Sequence, residues 1–303
     1  MKTFNLFLSL LIIFAMVSCK GGEDKTDNTD GETDTIIAEE IPENVFGGAT
    51  KEFIVIPSPV ETAVILQRAG AKYDEEILNP VENRTNYTTN LSMALNLGIY
   101  SADMCYASMC NQSQASINFM GAVKKLAEDI GILEAVSEST FDRMEANANR
   151  KDSLLHILSE VVMNAEMSLK EDERSETAAI ILTGGWIEGL YIATQVVKNI
   201  DDDKEMMNKI ADQRLSLETL LLLLKKYEDN ESFHALITSL IDLQTVFNKV
   251  KVTEADVETE TDADKGKTVI KSKTKTVITQ EVFSEICEEI AKVRNSIVNA
   301  EII

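Results

Sequence analysis

The chain has 303 residues, with 51 acidic against 29 basic side chains and a formal net charge of −22. A balance of that sign and size repels nucleic-acid phosphate and anionic lipid surfaces, which excludes nucleic-acid binding. Hydrophobic residues make up 44% of the chain, enough to bury a core in one large domain or two small ones.

The N-terminus reads as an export signal. Lys2 supplies a positive n-region, and Phe4 to Val17 is an apolar run interrupted by Asn5 and Ser9. That run is too short for a bilayer span, which needs about 20 apolar residues, but it fits a secretory signal. Met16, Val17 and Ser18 precede Cys19 and resemble the lipobox of bacterial lipoproteins. The resemblance implies removal of residues 1–18 and acylation of the Cys19 sulfur and amine. Each buried methylene contributes about 0.8 kcal/mol, so two or more acyl chains hold firmly where one holds marginally. The expected address is the outer membrane of a cell envelope, facing the periplasm or the surface, with Cys19 as the lipid-attachment residue.

Residues 19–52 carry Cys19 and an acidic tether. Between 20 and 45 lie nine acids and two lysines with almost no apolar run, a composition that predicts a self-repelling linker. Its "TDNTDGETD" fails as a calcium loop. With Gly31 at the loop glycine, Thr26 and Ile37 fall where Asp and Glu are required. "DTI" at 34–36 resembles the O-glycosylation sequon of Bacteroidetes-type bacteria and marks Thr35 as a candidate acceptor; "DSL" at 152–154 matches it too.

The folded domain is expected over 53–303. Ser58, Pro59 and Glu61 form a helix start with a capping box, and Gly70 a stop. Apolar spacing and caps then predict helices near 88–112, 114–130, 139–148, 151–169, 173–199, 203–228, 231–249 and 280–299. No proline follows Pro80, so helices run long. The expected fold is all-α: an antiparallel bundle of about eight or nine helices, with one charged β-hairpin before the last.

That hairpin is expected at 252–278. From 252 to 264 every acid sits at an even position, Glu254 through Asp264; from 265 to 275 every lysine sits at an odd one. Period two is the period of a strand. A two-residue turn at Lys265-Gly266 would set Asp264 opposite Lys267, Glu260 opposite Lys271, Glu258 opposite Lys273 and Asp256 opposite Lys275. Each such pair contributes a few tenths of a kcal/mol.

Motifs that carry chemistry are scarce. The two histidines, His156 and His234, have aliphatic neighbours and no zinc spacing, so no metal and no cofactor is expected. No G-x-S-x-G, Walker loop or G-x-G-x-x-G occurs, and no catalytic residue is assigned. Three cysteines follow Cys19, an odd number that gives no complete disulfide framework. Cys105 and Cys110, roughly 140° apart on a helix, read as buried small hydrophobes.

Two stretches carry polar residues inside apolar helices. "LTGGWIEGLYIATQ" holds Trp186, Glu188 and Tyr191 with three glycines. Helix-interior glycine costs roughly 1 kcal/mol against alanine. Close packing across Gly185 and Gly189 would compensate, with Trp186 and Tyr191 filling core; the alternative is a pocket walled by Trp186. "GIYSADMCYASMCNQSQ" places Tyr100, Asp103 and Tyr106 on one face. If the two helices pack, Asp103 and Glu188 share a polar cluster with the tyrosines, either an acid–base or ligand pocket or a satisfied buried network.

"IPSPVETAVILQRAGAKY", "LNLGIYSADMCYA" and "LTGGWIEGLY" resemble stretches of a family of uncharacterised Bacteroidetes lipoproteins, and the likeness covers most of residues 55–300. It implies source and address and brings no activity. The functional expectation is an anchored, non-catalytic binding or scaffold module for an envelope protein, peptide or glycan. The alternative is a hydrolase or small-ligand receptor with a pocket around Trp186, Glu188 and Asp103.

Overall fold

The chain is mostly helical. The computed structural model describes residues 72–133, 138–150, 174–198, 204–262 and 267–301, with residues 153, 154, 156, 157 and 160 between them. All belong to a compact unit, Asn44–Ile303. The signal 1–18, Cys19, the tether, Thr35, the helix expected at 58–70 and most of the one expected at 151–169 lie outside the described residues.

A 3-10 turn, Val81–Asn86, leads into α1 (Asn90–Met109), followed by α2 (Ser113–Asp129) and α3 (Glu138–Ala146). Then come α4 (Ser175–Lys198), α5 (Lys204–Lys225), α6 (His234–Phe247), strands β1 (Lys251–Asp262) and β2 (Lys267–Val277), and α7 (Gln280–Val298). Local chemistry sets the ends. Thr89 caps α1 in a capping box with Ser92, and Thr279 caps α7 by accepting from the Val282 N–H. The C-termini of α1, α2 and α7 close with left-handed residues, Asn111, Gly131 and Ala300. In each, the next N–H reaches back five residues: Gln112 to Ala107, Ile132 to Ala127, Glu301 to Ser296. Arg174 donates to the last free carbonyls of α2, Ile130 and Gly131, at 2.7 Å each.

α1 and α4 are apolar on nearly every side and form the centre. α4 also packs on α5 and α7, α1 on α2, and α6 on α5 and α7. α7 is amphipathic: Phe283, Ile286, Ile290, Val293 and Ile297 are buried while Glu281, Ser284, Glu288 and Lys292 are exposed. α4 is long and apolar enough to cross a membrane by composition, but most of it is buried against protein.

The α1–α4 crossing brings backbone onto backbone. A Cβ on Gly98 would lie 2.1 Å from the Ile181 carbonyl oxygen and 2.6 Å from the Gly185 nitrogen. One on Gly184 would lie 2.0 Å from the Leu95 carbonyl oxygen. The contact uses Gly98 of α1 and Gly184 of α4, with the Gly185 backbone alongside.

β1 and β2 pair antiparallel in a register two residues from the expected one: Asp262 opposite Lys267 and Glu258 opposite Lys271. A two-residue turn at Lys265-Gly266 would put lysine where a positive φ is required, which disfavours it; the connection here spans 263–266. A shift of two preserves the parity of acid against base. An irregularity between Glu254 and Val257 then changes the parity, so Glu254 meets Thr274 and Lys275 meets Thr253. Among the described residues the pair touches the helices at α5, where the Thr276 hydroxyl bonds Asp212.

Candidate functional site

The six residues singled out as a pocket sit on the two central helices, Tyr100, Asp103 and Tyr106 on α1 and Trp186, Glu188 and Tyr191 on α4. Tyr100, Asp103 and Glu188 are completely buried, Tyr106 and Trp186 nearly so, and Tyr191 is half-buried. A charged group reaches this depth only with partners.

Glu188 finds its partner on α7. Arg294 Nε donates to Oε2 at 2.8 Å and Nη2 to Oε1 at 2.9 Å, a two-pronged ion pair. The Arg294 guanidinium also lies 4.7 Å from the centroid of the Tyr191 ring. Burial works against the Arg294 charge, but the Glu188 carboxylate more than offsets it and holds the guanidinium protonated.

Asp103 is the second acid of the cluster. Its Oδ2 accepts from the Asn79 N–H at 3.2 Å, and its Oδ1 faces no donor. Burial pushes its pKa well above the ordinary carboxyl range; the neighbouring Glu188 carboxyl pushes the same way, and Arg294 opposes them. Two carboxylates hydrogen-bond only if one carries a proton. Of the two acids Glu188 holds the cation, and Asp103, buried beside it with none of its own, is the one held toward its protonated form.

The tyrosines serve the chain's own backbone. Tyr100 Oη donates to the Pro80 carbonyl at 2.9 Å, Tyr106 Oη to the Lys72 carbonyl at 2.6 Å, and Tyr87 Oη to the Val298 carbonyl at 3.1 Å. Burial raises the pKa of all three hydroxyls, so they stay protonated donors. Arg294 Nη2 joins them, donating to the Ile77 carbonyl at 3.2 Å. Trp186 belongs elsewhere: its Nε1 donates to Gln213 on α5 at 3.3 Å.

Sequence reasoning missed Arg294, Asn79, Asn96 and Tyr87. Arg294 carried a signal, since it falls seven residues after Cys287 on the apolar face of α7. Asn96 likewise interrupts the apolar run "ALNLGIY". Asn79 sits before α1 in irregular chain, where no periodicity exposes it.

The remaining candidates stand apart from this cluster. His156 is exposed and pairs with Glu160 at 3.2 Å; the exposed His234 Nε2 contacts the Glu228 carbonyl at 2.8 Å. Among the described residues Cys105, Cys110 and Cys287 form no disulfide. Burial pushes the Cys105 thiol up to about 12, with Asp103 adding to it. No group of three acid, histidine or cysteine side chains among the described residues is arranged to hold a metal. Comparison with protein-family models, curated proteins and solved structures returns no match.

Proposed function

We propose that this chain is an envelope lipoprotein, anchored on the outer membrane by acyl chains at Cys19, whose helical domain is a non-catalytic binding or scaffold module. The finer architecture we propose with it is an antiparallel bundle of eight or nine helices with a charged hairpin before the last. The observation that carries the anchored reading is the short apolar run ending at Met16-Val17-Ser18-Cys19, followed by acidic sequence with almost no apolar run. The non-catalytic part is supported by the Asp103–Glu188–Arg294 cluster, whose hydrogen bonds go to one another and to the chain's own backbone. A group that acts on a substrate has to reach it.

The alternative, a hydrolase or small-ligand receptor around Trp186, Glu188 and Asp103, draws on the proton shared by two carboxyls. Trp186 and Glu188, however, bond to different helices, and both acids are sealed from solvent. Capture of the full anchored chain from its native envelope, with bound proteins, peptides and glycans identified by mass, tests the reading. A partner retained equally by wild type and a folded Glu188→Gln chain is the expected result. A small ligand lost specifically from the Glu188→Gln chain would favour the alternative.

A further inference from the structure

Residues 72–80, ahead of the first 3-10 turn, contain neither helix nor strand, only a turn closed by Leu78 N–H to the Glu75 carbonyl at 3.1 Å. Side chains of α1 and α7 hold this segment by its main chain. Three carbonyls, of Lys72, Ile77 and Pro80, accept from Tyr106, Arg294 and Tyr100, and the Asn79 N–H donates to Asp103. Leu78 and Asn79 are buried, Ile77 and Tyr73 pack partly buried against the core, and the Tyr73 ring stacks on Tyr106 at 5.7 Å. The Asn79 amide donates to Tyr87 Oη at 3.0 Å and to Asn96 Oδ1 at 3.2 Å.

The receiving groups are positioned by other contacts. Arg294 is fixed by Glu188 and Tyr191, and Asn96 donates to the Ser92 carbonyl at 2.9 Å. Two buried oxygens along the segment, Asp103 Oδ1 and Tyr73 Oη, lack a donor or acceptor of the protein. Side chains that read main-chain atoms of an irregular segment and take up its apolar and amide side chains form an arrangement by which proteins bind peptides.

We infer that the groove between α1 and α7 is a peptide site, filled in this chain by its own residues 72–80, and that it takes an external peptide bearing the same apolar–Asn–Pro turn. The inference rests on the binding-module reading and names the ligand class. Opening the segment uncovers two buried and two part-buried side chains, whereas opening α1 or α4 uncovers a whole core face; the segment therefore opens at lower cost than either helix. Tethered in place, it competes at a high effective concentration, so an external peptide gains access when the internal one is weakened.

The test uses the full chain and a fluorescent peptide of residues 72–81, KYDEEILNPV. Binding is measured to wild type and to the full-length L78A/N79A variant, whose internal segment has lost both buried side chains. We expect at least tenfold tighter binding to the variant, and loss of that binding when the peptide's own Asn79 is replaced by Ala. A variant with native helical circular dichroism that takes the peptide no better than wild type overturns the inference. Should the variant fail to fold, amide exchange in wild type decides: exchange of Leu78 and Asn79 by an opening separate from α1 and α4 supports it, and exchange only through global unfolding overturns it. An envelope partner held equally by wild type and folded variant would leave the binding-module reading in place and remove this one.

Discussion

A single proton governs the centre of this molecule. Asp103 is held toward its protonated form because burial and the Glu188 charge together outweigh the pull of Arg294. Its folded pKa is raised above that of the unfolded chain, about 3.9 for an aspartate. The stabilisation it contributes is therefore complete below that value and is lost as pH rises through the folded value. Asp103→Asn replaces the shared proton by an amide that donates to Glu188 permanently and still accepts from Asn79. Urea unfolding across pH should show wild type losing stability relative to this variant above about pH 4, by up to about 1.4 kcal/mol per pH unit. A difference independent of pH would place the proton elsewhere. Removing the other acid separates the roles further. In Glu188→Gln, Asp103 is free to ionise and take over the Arg294 charge. In the double variant with Asp103→Asn the guanidinium is buried without a carboxylate, at a cost of about 3–5 kcal/mol. A double-mutant cycle by chemical denaturation should find the double loss exceeding the sum of the single ones.

At the scale of elements, the α1–α4 crossing is the contact with least tolerance. Gly98→Ala or Gly184→Ala forces a methyl onto a carbonyl oxygen of the facing helix, and backbone cannot give way as a side-chain tip can. Each should destabilise by about 3 kcal/mol in thermal or urea unfolding, the upper range for overpacking. Gly121→Ala, where nothing lies within 4 Å of the added carbon, should be neutral or slightly stabilising. Much of this level was legible in the chain. Apolar spacing and caps place the helices because period and end chemistry are local properties, as Gly131 ending α2 illustrates. Acids inside apolar helices mark a polar cluster, because a buried charge without partners is too costly to keep. The rest depended on tertiary geometry. Spacing within α4 shows that glycines share a face, but which of them meets α1 is fixed by the crossing. Strand parity shows acids opposite lysines, but the loop length and the irregularity at Glu254–Val257 set the register. The segment 72–80 has no period, and its anchoring is visible only through the side chains that hold it.

At the scale of the whole molecule, the folded domain is one link in a proposed chain of membrane, lipid, acidic tether and helical module. The chain's net charge of −22 repels anionic surfaces. On this reading the hold on the envelope comes from acyl chains alone, since α4, the apolar helix that would suffice to span a bilayer, is enclosed by α1, α5 and α7. The most direct measurement is fractionation of cells expressing the full chain and its Cys19→Ser variant, with acylation followed by mass. The account predicts that the wild type is processed at Cys19, carries acyl chains and sediments with membranes, and that the serine variant does none of these. Equal sedimentation of both, unprocessed and without acyl chains, would contradict it.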